Sequence, residues 1–281
     1  MQLCSGVVDC LVGPLMFAPT QRALLAAIII GIICAVMGAF VVIQNLAFIG
    51  DALAHAAFPG VVIAALIGLP LSVGGAIVGI ATAFGIGYVT RRSRVSLDTA
   101  IGVLFAGTFA LGLALLSLRS GYSGDLLGLI VGDVLAVGPS DLMSIAVLGV
   151  AVIGITALLY KEFVLMAFDP TAAEAQGLPT AVLHYVLLAL LAITIVIAIQ
   201  IVGIVLVVAM LVTPAATASI LARRFPQVIG WAAVQGIVAA IAGIYSSYYI
   251  NIPAGPSIVL VNTAVFGAVL VLAPRSRRLG H

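Results

Sequence analysis

Asp51 and His55 lie four residues apart in the stretch GDALAHAAFPG (50–60), inside a run of otherwise apolar and small residues. Positions i and i+4 are neighbours on a helix, so a carboxylate and an imidazole would share one face. Three readings are open to such a pair. Asp51 can end a membrane-embedded segment at the headgroups, with His55 a hydrogen-bonded core residue. The two can relay a proton. Or they can offer an oxygen and a nitrogen to a first-row divalent metal ion. Two ligands are too few to hold such an ion tightly. A two-fold dimer with this helix near its axis would double them, giving two aspartates and two histidines from one short motif. Pro59 and Gly60 follow closely, and breaks of that kind mark substrate sites in transporters. The small residues at 52, 54, 56 and 57 would let neighbouring helices approach.

The elements that must position this pair follow from composition. Hydrophobic residues fill 64% of the 281 positions and charged residues only 7%, against roughly 25% charged in an ordinary soluble domain. A soluble fold cannot keep its surface wet on that allowance, so the solvent is the lipid bilayer. Backbone polar groups in hydrocarbon must be paired internally, which restricts spans to helices or a closed barrel. The apolar runs are long and do not alternate, which excludes a barrel. They recur at 23–43, 52–67, 73–89, 100–118, 142–160, 182–199, 203–221, 228–248 and 257–272, with a shorter stretch at 126–137 broken by Gly132 and Asp133. The expected fold class is an all-α polytopic membrane protein of eight to nine transmembrane helices, a single transmembrane domain over 1–281. Basic residues cluster at Arg91, Arg92 and Arg94, at Lys161, at Arg223 and Arg224, and at Arg275, Arg277 and Arg278. Spacing by pairs of spans puts all four clusters on one side, which is cytoplasmic, and nine spans then require an external N-terminus. Residues 1–20 contain Asp9 and no basic residue, so they read as an interfacial segment rather than a secretory signal. Residues 274–281 read as a basic cytoplasmic tail. Cys4, Cys10 and Cys34 are too few for a disulfide framework. A net charge of +2 gives no argument for nucleic acid.

The cytoplasmic connection at 161–180 differs from the others in chemistry. Asp169 suits an N-cap and Pro170 the first helical position, while Gly177 can end the helix and Pro179 prevents its return. This spacing predicts a helix of about two turns, marginal by itself. It is either a capped turn between spans or a docking element. Asp98, in VSLDTAIG, reads as an N-cap at the cytoplasmic surface; Asp125 and Asp133 fall in the external stretch. Gln200, Thr213 and Asn262 suit hydrogen bonds between helices rather than substrate contacts. Lys161 is the only lysine, so the chain has no phosphate-binding G-x-x-x-x-G-K-[ST] loop. Nor does it offer a Ser/His/Asp or Cys/His arrangement, or an H-E-x-x-H pattern. Transport, not catalysis, fits these absences.

The stretch FIGDALAHAAFPGVVIAALIG resembles the signature of permease subunits of zinc/manganese-type metal-ion ABC importers. The likeness continues through SLDTAIGVLFAGTFALGLALLS, GDVLAVGPSDL, KEFVLMAFDPTAAEAQGLP, QIVGIVLVVAMLVTPAATASIL and IPAGPSIVL, over about residues 20–273. The resemblance implies a homodimer in the bacterial cytoplasmic membrane. Such a homodimer binds two copies of a separate ABC ATPase subunit and receives its metal from an extracellular metal-binding lipoprotein. It implies that Asp51 and His55 are the transit site of a manganese, zinc or iron ion. It further implies that the segment holding Asp169, Pro170, Glu174 and Gly177 is the coupling helix that enters a groove on the ATPase. No permanently held cofactor and no ATPase site in this chain are expected. Gly50 stands where some members carry serine. The reading from another class is a gradient-driven secondary cation transporter using Asp51 and His55 as a proton or ion relay.

Overall fold

The computed structural model describes Gly13, residues 16–117 and residues 134–272. Apolar runs with no external hydrogen-bond partners close their backbone bonds within themselves, and each of the nine long runs is helical where described, while the stretch at 126–137 lies mostly outside the described residues. In chain order the helices are α1 (Ala18–Ile43), α2 (Ala47–Ala56), α3 (Phe58–Ile67), α4 (Leu71–Arg92), α5 (Leu97–Ser117), α6 (Pro139–Leu158), α7 (Tyr160–Phe168), α8 (Pro170–Ala175), α9 (Thr180–Leu221), α10 (Phe225–Ile250) and α11 (Ala254–Leu272). Nine helical stretches among the described residues are long and apolar enough to cross a membrane, the upper end of the expected range. Two of them lie within α9, Thr180–Ile199 and Val202–Leu221. Gly203 separates them with φ 76° and ψ 167°, a conformation open essentially to glycine alone.

Most spans are joined by only a few residues, so successive helices return across the bundle. The turn from α1 to α2 is built on Asn45, whose φ of 56° is left-handed. The Leu46 N–H reaches the Val41 carbonyl at 2.8 Å and the Asn45 N–H reaches that of Val42 at 3.2 Å. These are the two bonds that close a helix end around a left-handed residue. At the centre, α1 packs against α9 and α10, and α9 also meets α2, α4 and α11. Close approach depends on absent side chains. A Cβ on Gly60 of α3 would run into the backbone carbonyl of Gly74 on α4, and one on Gly74 into that of Gly60. By contrast α5, α6 and α11 leave much of their apolar surface open, including Val103, Leu111, Met143, Val150, Leu260 and Val271. That surface suits lipid.

Buried threonines bond carbonyls of their own helices, whereas Gln235 and Asn262 meet across helices. Gln235 Nε2 donates to Asn262 Oδ1 at 3.3 Å, and Asn262 Nδ2 lies 3.2 Å from the Met210 sulfur. Asn262 therefore ties α11 to α10 and α9, as expected, with Gln235 as the unexpected partner. The Thr213 carbonyl instead accepts from the Thr217 hydroxyl inside α9, and the Gln200 side chain lies outside the described residues.

Two local expectations change. Asp98 is not the cap of α5, because the helix starts one residue earlier, at Leu97. Ser96 takes that place, its hydroxyl oxygen accepting from the Thr99 N–H at 3.3 Å. The connection after α6 opens as a helix, α7, in place of a loop, because Phe163 and Met166 share one face and are buried. The N-terminal segment through residue 12, Arg119, Asp125, Asp133 and the 274–281 tail lie outside the described residues.

Gly60→Leu and Gly74→Leu are expected to lower stability by about 1–3 kcal/mol or more through overpacking. Gly102→Ala, where a Cβ meets nothing within 4 Å, should be neutral or stabilising. Thermal unfolding of the detergent-purified protein checks both; equal midpoints for all three variants would contradict the α3–α4 packing.

Candidate functional site

The second span is not one continuous helix. α2 ends at Ala56, Ala57 intervenes, and α3 starts with Pro59 in its first turn, where a missing N–H costs nothing. α2 is buried on most of its surface, and Phe48, Asp51 and His55 form the stripe that is not. Helical spacing places these three on one face.

His55 Nδ1 lies 2.9 Å from the Asp51 backbone carbonyl and 3.5 Å from Asp51 Oδ1. A carbonyl oxygen can only accept, so the proton is assigned to Nδ1 and the lone pair to Nε2. The imidazole stands edge-on to two rings of α5, with centroids 5.4 Å from Phe105 and 5.6 Å from Phe109 at interplanar angles of 75° and 85°. The Asp51 side chain is 52% exposed and that of His55 27%. The pair therefore leaves the carboxylate and part of the imidazole open on an otherwise packed helix. No group of three or more His, Cys, Asp or Glu side chains comes together among the described residues. An ionised carboxylate facing acyl chains costs several kcal/mol, so this open stripe calls for a covering surface of protein or water.

The second expected group assembles as read from the sequence. Asp169 Oδ1 accepts from the Ala172 N–H at 2.9 Å, and Pro170 opens α8. Gly177, at φ 77°, ends it. The Gly177 N–H bonds the Glu174 carbonyl at 2.9 Å and the Leu178 N–H bonds that of Ala173 at 3.1 Å, the same closing pattern as at Asn45. Glu174 Oε1 accepts from the Thr180 hydroxyl at 3.0 Å, which pins α8 to the first residue of α9. Ala173 is buried, whereas Thr171, Glu174, Ala175 and Gln176 face outward.

Sequence reading missed the aromatic rings that connect these two places. Phe40, near the end of α1, has centroids 6.5 Å from Tyr160, 5.9 Å from Phe163 and 5.0 Å from Phe225; Phe168 lies 6.0 Å from Phe225. The helix leading into α8 thus packs on the end of α1 that turns, through Asn45, into α2. Phe105 and Phe109 were also missed; their i, i+4 spacing in FAGTF was the available signal.

The model of the ABC 3 transport family matches residues 16–273. The manganese transport system membrane protein MntC of Halalkalibacterium halodurans is 45% identical over 261 residues, covering 93% of this chain and 89% of that one. The chelated iron transport system membrane protein YfeD of Yersinia pestis is 37% identical over 258 residues, covering 92% and 86%. The solved structure of PsaBC from Streptococcus pneumoniae in complex with Fab superposes with a TM-score of 0.86 at 34% identity, covering 98% of this chain and 99% of that one.

Asp169→Ala removes the cap of α8 and should cost about 1 kcal/mol locally. Hydrogen exchange of the amides at 170–175 should accelerate while that of α9 does not; unchanged exchange would show that the cap contributes nothing.

Proposed function

The chain belongs to the ABC 3 transport family, and on that premise we propose manganese as the ion it passes and Asp51 and His55 as the ligands that pass it. It is a multi-pass permease of the bacterial plasma membrane that serves a metal-ion ABC importer. A permease of this kind works with a substrate-binding protein and an ATPase. The observation that carries the finer reading is the Asp51–His55 pair, open to one side on a helix that is otherwise buried.

Two copies of the chain related by a two-fold axis would bring together two carboxylates and two imidazoles and would cover the exposed Asp51. Carboxylate oxygen and imidazole nitrogen suit manganese, iron and zinc alike. The two relatives described above are named for manganese and iron, which favours manganese over zinc. Ligands of this number hold an ion briefly and let it leave. The binding protein would deliver the ion at the external mouth. Closure of two ATPase copies would press on the outward residues of α8, Thr171, Glu174 and Gln176. Through α7, the Phe163 and Tyr160 rings carry that displacement to Phe40, and the Asn45 turn passes it to α2. Asp169 and Gly177 keep α8 short and rigid, and the Glu174–Thr180 bond joins it to the bundle.

The test is uptake of radioactive manganese into proteoliposomes holding the permease, its ATPase and its binding protein. Asp51→Ala and His55→Ala should each reduce uptake to background while the complex still assembles. Uptake should require ATP and persist when a protonophore collapses the proton gradient; uptake that follows the gradient without ATP would establish the relay reading instead. Glu174→Ala and Pro170→Gly should leave ATP hydrolysis running with less manganese moved per ATP. An unchanged ratio would remove α8 from coupling.

A further inference from the structure

Against α2 and α3, α5 sets a stripe with the spacing Ile101, Phe105, Phe109 and Gly112. Ile101 and Gly112 are buried. A Cβ at Gly112 would lie 3.1 Å from the Pro59 nitrogen and press on the Phe58 ring, so the bare glycine lets α5 sit tightly over the break in the second span. Phe105 and Phe109 stack on one another, with centroids 6.0 Å apart and planes at 20°. Phe109 touches ring systems on both sides of that break: His55 at 5.6 Å before it and Phe58 at 5.7 Å after it.

We propose that Phe105 and Phe109 are positioning residues for the transported ion, holding the His55 imidazole with Nδ1 toward Asp51 so that Nε2 is the nitrogen an ion meets. The proposal rests on the reading of Asp51 and His55 as transit ligands.

The physical argument concerns rotation. An imidazole on a helix turns about two side-chain bonds. The Nδ1–H bond to the Asp51 carbonyl, at 2.9 Å, favours one orientation, but a single hydrogen bond within one turn is easily exchanged for one to water. Rotating the ring about Cβ–Cγ would carry Nδ1 away from that carbonyl. Two nearly perpendicular ring contacts resist that rotation and shield the imidazole from water along α5. A metal-binding histidine commonly has its second nitrogen fixed by a carbonyl or carboxylate, and loss of such outer partners weakens metal affinity. Here the carbonyl comes from the other ligand's own residue, and the phenyl rings prevent exchange. Neither ring can donate a ligand, so the count stays at two per chain. Because Phe109 also grips Phe58, a shift of α5 relative to the break would turn the imidazole together with α3.

Manganese ions alone are the probe, added to the permease–ATPase complex in lipid nanodiscs and followed by electron paramagnetic resonance. Bound ions are counted from loss of the free-ion signal, and imidazole ligation is read from the nitrogen modulation of the spin echo. Phe105→Leu and Phe109→Leu keep an apolar side chain of similar volume, whereas Phe105→Tyr and Phe109→Tyr keep the ring. The leucine variants should bind manganese about 10-fold more weakly and lose most of the nitrogen modulation; the tyrosine variants should retain both. Leucine variants with wild-type affinity and modulation, while His55→Ala loses both, would overturn the positioning role and leave the ion site standing. Equal losses in leucine and tyrosine variants would reduce the rings to packing and overturn it as well. If His55→Ala itself changes nothing, the ion site falls, and the positioning role with it.

Discussion

Hydrocarbon supplies no hydrogen-bond partner and no screening, and this one constraint governs what the chain can place inside the bilayer. Every long apolar run described becomes a helix, and polar side chains deep in the bundle meet one another, as Gln235 meets Asn262 and Asn262 meets Met210. Asp51 stands apart. Its carboxylate leans back toward His55 of its own helix yet stays half open, on a stripe that the single chain does not cover. A charge so placed is acceptable only where more protein or water meets it. The same openness is what a ligand needs if an ion is to arrive and leave.

Helix interruptions fall where this architecture needs turns or altered direction. Asn45 and Gly177 close α1 and α8 by the same pair of bonds, and Gly203 divides the two spans of α9. At Ala57 the break is gentler, with φ −71° and ψ −18°, so the two halves of the second span stay close to a common axis. His55 lies just before that point and Phe58 just after it. A small change in the angle there alters what the imidazole faces without disturbing the packed core around α1 and α9.

The rings around Phe40 and the α5 rings play complementary parts. Phe40, Tyr160, Phe163, Phe168 and Phe225 join three elements at one end of the bundle, so α7 cannot shift without moving the end of α1. Phe105 and Phe109 hold the other side of α2. The helix that carries Asp51 and His55 is thus held between a contact continuous with α7 and one with α5. Such contiguous packing supports coupling between distant sites because close-packed interfaces repack between discrete arrangements rather than deform smoothly.

What the sequence determined by itself was local. Hydropathy over about 20 residues marks each span, and all nine runs read from it are helical spans here. The i, i+4 relation of Asp51 and His55 and the caps at Asp169 and Gly177 involve residues within a few positions of one another, so helix geometry alone brings them together. Tertiary structure alone decided which face of α2 stays open, that Phe105 and Phe109 wall the imidazole, that Phe40 meets Phe225, and that Gln235 answers Asn262. Helices apolar on every side carry no amphipathic stripe to say which face is inward. In lipid, partner and orientation are chosen by shape, by the absent side chains of Gly60, Gly74 and Gly112 and the rings that fit beside them, and that information exists only once the helices are packed.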